Sequence, residues 1–127
     1  MRILDVGQCG FDGPRMTRFF QERLGAAVDQ ANTPEDARSR LAEGNYDLVL
    51  INRIFAADGS SGLELIDDLL KSGCKVPLML VSDLPDAQET AVARGAIRGF
   101  GKSELQHPKT LQMIKAAAGG TSKRGTH

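Results

Sequence analysis

Four places in this chain carry residue types that could do chemistry, and each sits at the end of a short apolar run. Asn52 closes Tyr46-Asp47-Leu48-Val49-Leu50-Ile51-Asn52, Ser82 follows Val76 to Val81, Lys102 follows Ile97 to Gly101, and Gly7-Gln8 follows Arg2 to Val6. A serine near a lysine can act as a nucleophile and its base. No oxyanion-hole motif accompanies Ser82 and Lys102, so they read better as residues that hold a pocket together, with Lys102 bonded to nearby carbonyl oxygens. Asn52 reads as an amide satisfied by loop backbone, because buried amides are normally bonded locally. Gly7-x-x-Gly10-x-x-Gly13 before a helix could aim backbone N–H groups at phosphate, although its spacing matches neither the dinucleotide nor the Walker pattern. Asp12 suits the cap of the following helix. Asp5, if it faces inward, needs a partner, and Lys102 is the candidate. His107 and His127 have no partners at metal-ligand spacing, and Cys9 and Cys74 fit no metal or redox spacing.

The bulk numbers narrow the classes. A chain of 127 residues is one domain, expected over residues 1–118. Lys plus Arg (16) balance Asp plus Glu (16), so no global field recruits nucleic acid or a membrane. No apolar run approaches the roughly 18 residues of a membrane span. The start breaks too early for a signal peptide, and a soluble cytoplasmic protein is expected.

The elements that must position these residues follow from periodicity. The run ending at Asn52 is too short for a helix and reads as a strand buried on both faces. Such strands occupy the centre of parallel sheets covered by helices. Strands are expected at Arg2 to Val6, Ala27 to Ala31 (at an edge), Tyr46 to Asn52, Val76 to Val81 and Ile97 to Gly101. Helices fall between them, stopped at Gly25, Gly44, Gly73 and Gly95, and a last one runs from Pro108 to Ala118. Residues 119–127 show no pattern to bury and read as a disordered tail. Strands alternating with helices imply an α/β fold with right-handed crossovers. The commonest solution is the flavodoxin-like three-layer (βα)5 sandwich, sheet order 2-1-3-4-5, with its crevice at the carboxyl ends of strands one and three. Gly7-Gln8, Asn52, Ser82 and Lys102 then share one neighbourhood, and Cys9 and Cys74 lie at opposite ends of the sheet.

With those pieces in place the chain resembles the receiver domain of bacterial two-component response regulators. The resemblance covers residues 2 to about 118 and rests on Tyr46 to Asn52, Gly62-Leu63-Glu64-Leu65-Ile66, Val76 to Ser82, Arg94-Gly95-Ala96 and Phe100-Gly101-Lys102. In that family an aspartate ending strand three accepts a phosphoryl group, two acids after strand one hold Mg²⁺, and a hydroxyl and a lysine contact the phosphoryl oxygens. The resemblance puts the acceptor at Asn52, the acidic pair at Gly7 and Gln8, the hydroxyl at Ser82 and the lysine at Lys102. A carboxamide gives no stable acyl phosphate, Gly7 has no ligand atom, and Gln8 offers only a neutral oxygen where Mg²⁺ prefers charged ones. Gly99 takes the place of the switching aromatic, Ser103 that of a proline, and Asp83 that of a small residue. The loop from Asn52 to Gly62 is longer than the family's.

These departures imply a degenerate receiver, or pseudo-receiver: no enzyme, no cofactor and no metal. It is expected to be a signalling module that binds a protein partner independently of phosphorylation. The expected partner surface is Pro85 to Ala118, which receivers use for signalling proteins, with a homodimer as a further arrangement. The alternative is a sensor of an anion or phosphorylated metabolite at the Gly7–Gly13 loop, Ser82 and Lys102.

Overall fold

Five parallel strands form one sheet in the order β2-β1-β3-β4-β5, the topology that alternating elements and right-handed crossovers dictate. The computed structural model describes residues 1–126, with side chains through residue 119. In chain order the elements are β1 (Arg2–Val6), α1 (Asp12–Leu24), β2 (Ala27–Ala31), α2 (Pro34–Glu43) and β3 (Leu48–Asn52). They continue with α3 (Gly62–Lys71), β4 (Leu78–Val81), α4 (Pro85–Arg94), β5 (Ile97–Phe100), a short 3₁₀ turn (Lys102–Glu104) and α5 (Pro108–Thr126). The flavodoxin-like sandwich is therefore present as expected, with β2 at one edge. The tail expected over 119–127 falls mostly outside the residues whose side chains are described.

Period-two alternation explains the two cores. Leu4 and Val6 of β1, Val49 and Ile51 of β3, and Leu78 and Leu80 of β4 pack with Ala37 of α2, Leu65, Ile66 and Leu69 of α3, and Ala87 and Ala91 of α4. Their neighbours Ile3, Leu48, Leu50, Met79 and Val81 face Met16 and Phe20 of α1 and Ile114, Ala117 and Ala118 of α5. Because both faces of β3 are covered, its first four residues are all buried.

Local chemistry sets the helix ends. Thr33 accepts a hydrogen bond from the Asp36 N–H at 3.1 Å, with Pro34 opening α2. Ser61 accepts from the Glu64 N–H at the start of α3. Gly25 ends α1 in the left-handed region, φ 62°, where a Cβ is disfavoured. The β4–β5 pairing is irregular: Met79 pairs with Ile97 and Val81 with Phe100, so β5 carries one more residue than β4 across that interval. That is a β-bulge. Among the described residues no helix is long and apolar enough to cross a membrane.

Candidate functional site

Parallel strands end in the same direction, so Gly7, Asn52, Ser82 and Lys102 meet at one end of the sheet. Asn52 closes β3, and its Nδ2 donates to the Gly7 carbonyl at 3.1 Å and the Ile54 carbonyl at 2.8 Å. Both amide hydrogens are engaged by backbone, as the strand-end position suggests. The side chain brackets the β1–α1 and β3–α3 loops together.

The long loop after β3 folds as a small hairpin. Ile54 and Ser61 form an antiparallel bridge. The N–H groups of Phe55, Gly59 and Gly62 donate to Ser60, Phe55 and Arg53 carbonyls at 2.9, 2.8 and 2.7 Å. This hairpin drives Phe55 inward, where it is 1% exposed. Its ring lies directly over Gly7, so that a Cβ at Gly7 would collide with it. Gly7 also has φ +84°, a conformation that favours glycine. The space that a side chain at position 7 would need is filled by an aromatic ring. Phe55 was not singled out by sequence reasoning. Its one signal is a lone aromatic in an Ala-Asp-Gly-Ser loop of unusual length.

Gln8 turns inward, 5% exposed, and donates from Nε2 to Asp5 Oδ1 at 3.0 Å. Gln30 of β2 donates to Asp5 Oδ2 at 2.9 Å, with Gly13 O and Thr17 Oγ1 also in reach of its Nε2. Burial pushes the Asp5 carboxyl up from 3.8 to about 6, against the opposing hydrogen bonds from Gln30 and Gln8 and the charge of Lys102. Asp5 therefore satisfies itself with two glutamines and not with Lys102. The Oε1 of Gln8 is buried without a partner.

Lys102 bonds to a carboxylate instead of the expected carbonyl oxygens: its Nζ lies 2.9 Å from Asp12 Oδ2. Asp12 is in turn not a cap. It is the first residue of α1, and Phe11 holds the cap position without a side-chain hydrogen bond. The Lys102 hydrogen bond draws the Asp12 carboxyl below its ordinary value. Three N–H groups of the loop are committed as well, Gly7 to the Ala31 carbonyl, Gly13 to the Cys9 carbonyl and Asp12 to Cys9 Sγ. The charge of Lys102 and these three loop donors are thus engaged within the chain.

Ser82 Oγ accepts from the Leu84 N–H at 3.1 Å. Asp83 accepts from Ser103 Oγ at 2.5 Å, tying the β4–α4 loop to the β5–α5 loop. Between these loops and Asn52 lies an open cleft of ≈ 350 Å³, to which Arg53, Ser82 and Lys102 contribute. Gly99 of β5 rests so closely on Leu80 that a Cβ would meet its carbonyl oxygen, and its N–H is taken by Gln88 of α4 at 2.9 Å. Both cysteines are free. Among the described residues no three His, Cys, Asp or Glu side chains gather as a metal site would require.

No family model matches the sequence, and no curated protein does. Solved structures match throughout. The signal receiver domain of a putative Luxo repressor protein from Vibrio parahaemolyticus superposes with a TM-score of 0.83 at 11% identity, over 98% of this chain and 95% of that one. The receiver domain of the Francisella response regulator 1452 gives 0.75 at 17%, over 98% of both chains. NtrX from Brucella abortus gives 0.80 at 17%, and there the chain matches only 29% of the longer protein. The fold is that of a response regulator receiver domain.

In a receiver fold the loop end just described is where phosphoryl chemistry is implied, and the residues present there do not fit a divalent cation. Gly7 carries no donor atom and lies under Phe55, Gln8 is turned toward Asp5, and the Asn52 amide donates to carbonyls. The structure brings Gly7, Asn52 and Lys102 to one end as the resemblance implies. It adds Phe55, Gln30 and Gln88, which sequence reasoning passed over. Gln30 and Gln88 carry no local signal, since each acts on a strand remote from its own position.

Proposed function

We propose that this chain is a receiver-type signalling module that works by binding a protein partner without being phosphorylated, in the cytoplasm and without enzymatic activity. The observation that carries the reading is the Phe55 ring seated over Gly7. It excludes a carboxylate from the position that the family resemblance gives to a metal ligand. The chemistry of Asn52 supports the same reading, because a carboxamide is no phosphoryl acceptor. The Asp12–Lys102 pair supports it further, since the lysine's charge is already balanced. Receivers generally signal through the face spanned here by Pro85 to Ala118, and we assign partner binding to it. Val92 and Ile97, 42% and 40% exposed, supply apolar contact area there. The beryllofluoride-activated NtrC4 receiver domain, similar at TM-score 0.79 and 20% identity over 94% of this chain and 98% of that one, is a dimer. That likeness makes a second copy one candidate partner.

The test is incubation with acetyl phosphate and Mg²⁺ followed by intact-mass measurement. No adduct is expected. A gain of about 80 Da, the mass of one phosphoryl group, on any carboxylate of the chain overturns the reading.

A further inference from the structure

We propose that Gln88 locks the α4–β5 surface in one arrangement by inserting its carboxamide into the break in the β4–β5 ladder. The inference deepens the proposed function and rests on it, since it concerns the regulation of the surface assigned above.

Between the paired positions Met79/Ile97 and Val81/Phe100, β4 has Leu80 alone while β5 has Arg98 and Gly99. A bulge of this kind deprives backbone groups on both strands of their ladder partners. Gln88 supplies them. Standing on α4 and 4% exposed, it donates from Nε2 to the Leu80 carbonyl at 2.9 Å and the Ser82 carbonyl at 3.1 Å. Its Oε1 accepts from the Gly99 N–H at 2.9 Å. A carboxamide offers the donors and acceptor of a peptide unit, and here it stands in for the missing rung. Glycine at position 99 is required by the same arrangement, because Leu80's carbonyl leaves no room for a Cβ.

The lock has further anchors. At the start of α4 the Leu84 N–H is held by Ser82 Oγ. At its end Arg94 bonds Asp67 Oδ2 at 2.8 Å and the Leu63 carbonyl at 3.3 Å, both on α3. Sliding α4 against β5 would strip two buried backbone groups, the Leu80 carbonyl and the Gly99 N–H, and the part-buried Ser82 carbonyl of their partners at once, an expensive state to populate. Position 99 has no side chain whose rotation could couple the loop end of the sheet to this surface. The surface is therefore presented constantly, whatever occupies the cleft beside Asn52.

The experiment is amide hydrogen exchange by NMR on the full chain, expressed as protection factors. Wild type is compared with Gln88→Leu, which keeps bulk, and Gln88→Glu, which keeps shape. In wild type the Gly99 amide should be among the well-protected ones, and adding beryllofluoride with Mg²⁺ should move no α4 or β5 resonance. Gln88→Leu should lower protection at Gly99 and along α4 at least about tenfold, by loss of the hydrogen bonds. Gln88→Glu should do the same near about pH 7.5, where an ionised carboxylate faces two carbonyls, and recover near about pH 5 as protonation restores a donor. A recovery larger than the change wild type itself shows over the same range, where Asp5 titrates, is the readout a space-filling role would not produce, and it serves even if Gln88→Leu fails to fold. A poorly protected Gly99 in wild type, a pH dependence of protection in Gln88→Glu no greater than that of wild type, or a second α4–β5 state in relaxation dispersion overturns the lock. The two proposals fail separately: phosphorylation with α4 unmoved ends the first and spares the second, and a mobile α4 without phosphorylation does the reverse.

Discussion

Two buried glutamines do unlike jobs at the two sides of this sheet. Gln8, after β1, shields a buried carboxylate with its nitrogen and leaves its oxygen unpartnered. Gln88, above β4 and β5, engages both ends of its amide and closes a gap in the ladder. The β1–β3 side thus holds polar groups that compensate one another incompletely, around an acid raised to about 6. On the β4–β5 side both ends of the Gln88 amide are matched. Unsatisfied buried polar groups weaken a fold and satisfied ones specify it. The contrast therefore marks the first side as a site sealed at a cost in stability, and the second as a strut.

The largest test of that contrast is Phe55→Ala. Removing a fully buried ring should cost about 3–5 kcal/mol in urea denaturation. A loss below about 1 kcal/mol would mean that the ring does not seal the space over Gly7. Gln88→Leu should cost about 2 kcal/mol or more, because two buried backbone groups lose partners worth about 1–3 each and the part-buried Ser82 carbonyl loses one as well. Gln8→Leu should cost no more than about 1 kcal/mol, since the lost bond to Asp5 is partly offset by removing an orphan oxygen. Equal losses in the two glutamine variants would erase the distinction between the two sides.

Asp5→Asn should go the other way and stabilise the protein at about pH 7.5. The folded carboxyl titrates near 6 against 3.8 unfolded, so the folded state binds the extra proton. Stability is then full below 3.8 and falls as pH rises through about 6. The difference, 6 − 3.8 = 2.2, corresponds to about 3 kcal/mol at neutral pH. The variant should recover up to that amount, and the wild-type decline between pH 4 and 7 should flatten (roughly, by linkage). Denaturation of both proteins across that window checks the sign as well as the size. The smallest effect belongs to Lys102→Met. Its pair with Asp12 is partly exposed, 28% and 20%, and should be worth about 0.5 kcal/mol. The clearer readout there is an NMR titration in which the Asp12 carboxyl returns toward its ordinary value.

Much of this was readable from residues in order. The four-residue apolar run Leu48 to Ile51 announced a strand covered on both faces, and Gly25, Gly73 and Gly95 marked helix ends, each with positive φ. Asn52 could be assigned to loop backbone because a strand end leaves carbonyls within reach of a short amide. Lys102 and Asp12 were read one at a time and misassigned, as a carbonyl-bound lysine and a cap, although they are partners 90 positions apart. Asp5 was matched to the wrong partner because Gln30 lies 25 residues away on β2.

The amino-acid order by itself determined the strands, the helices, their parallel arrangement and the absence of carboxylates at positions 7, 8 and 52. Those features depend on periodicity, turn chemistry and side-chain identity, which act within a few residues. Tertiary structure alone decided that Phe55 fills the space over Gly7, that Lys102 is neutralised by Asp12 and that Gln88 bridges β4 and β5. Such contacts depend on packing and on satisfying buried hydrogen-bonding groups between segments that meet only when the sheet is assembled.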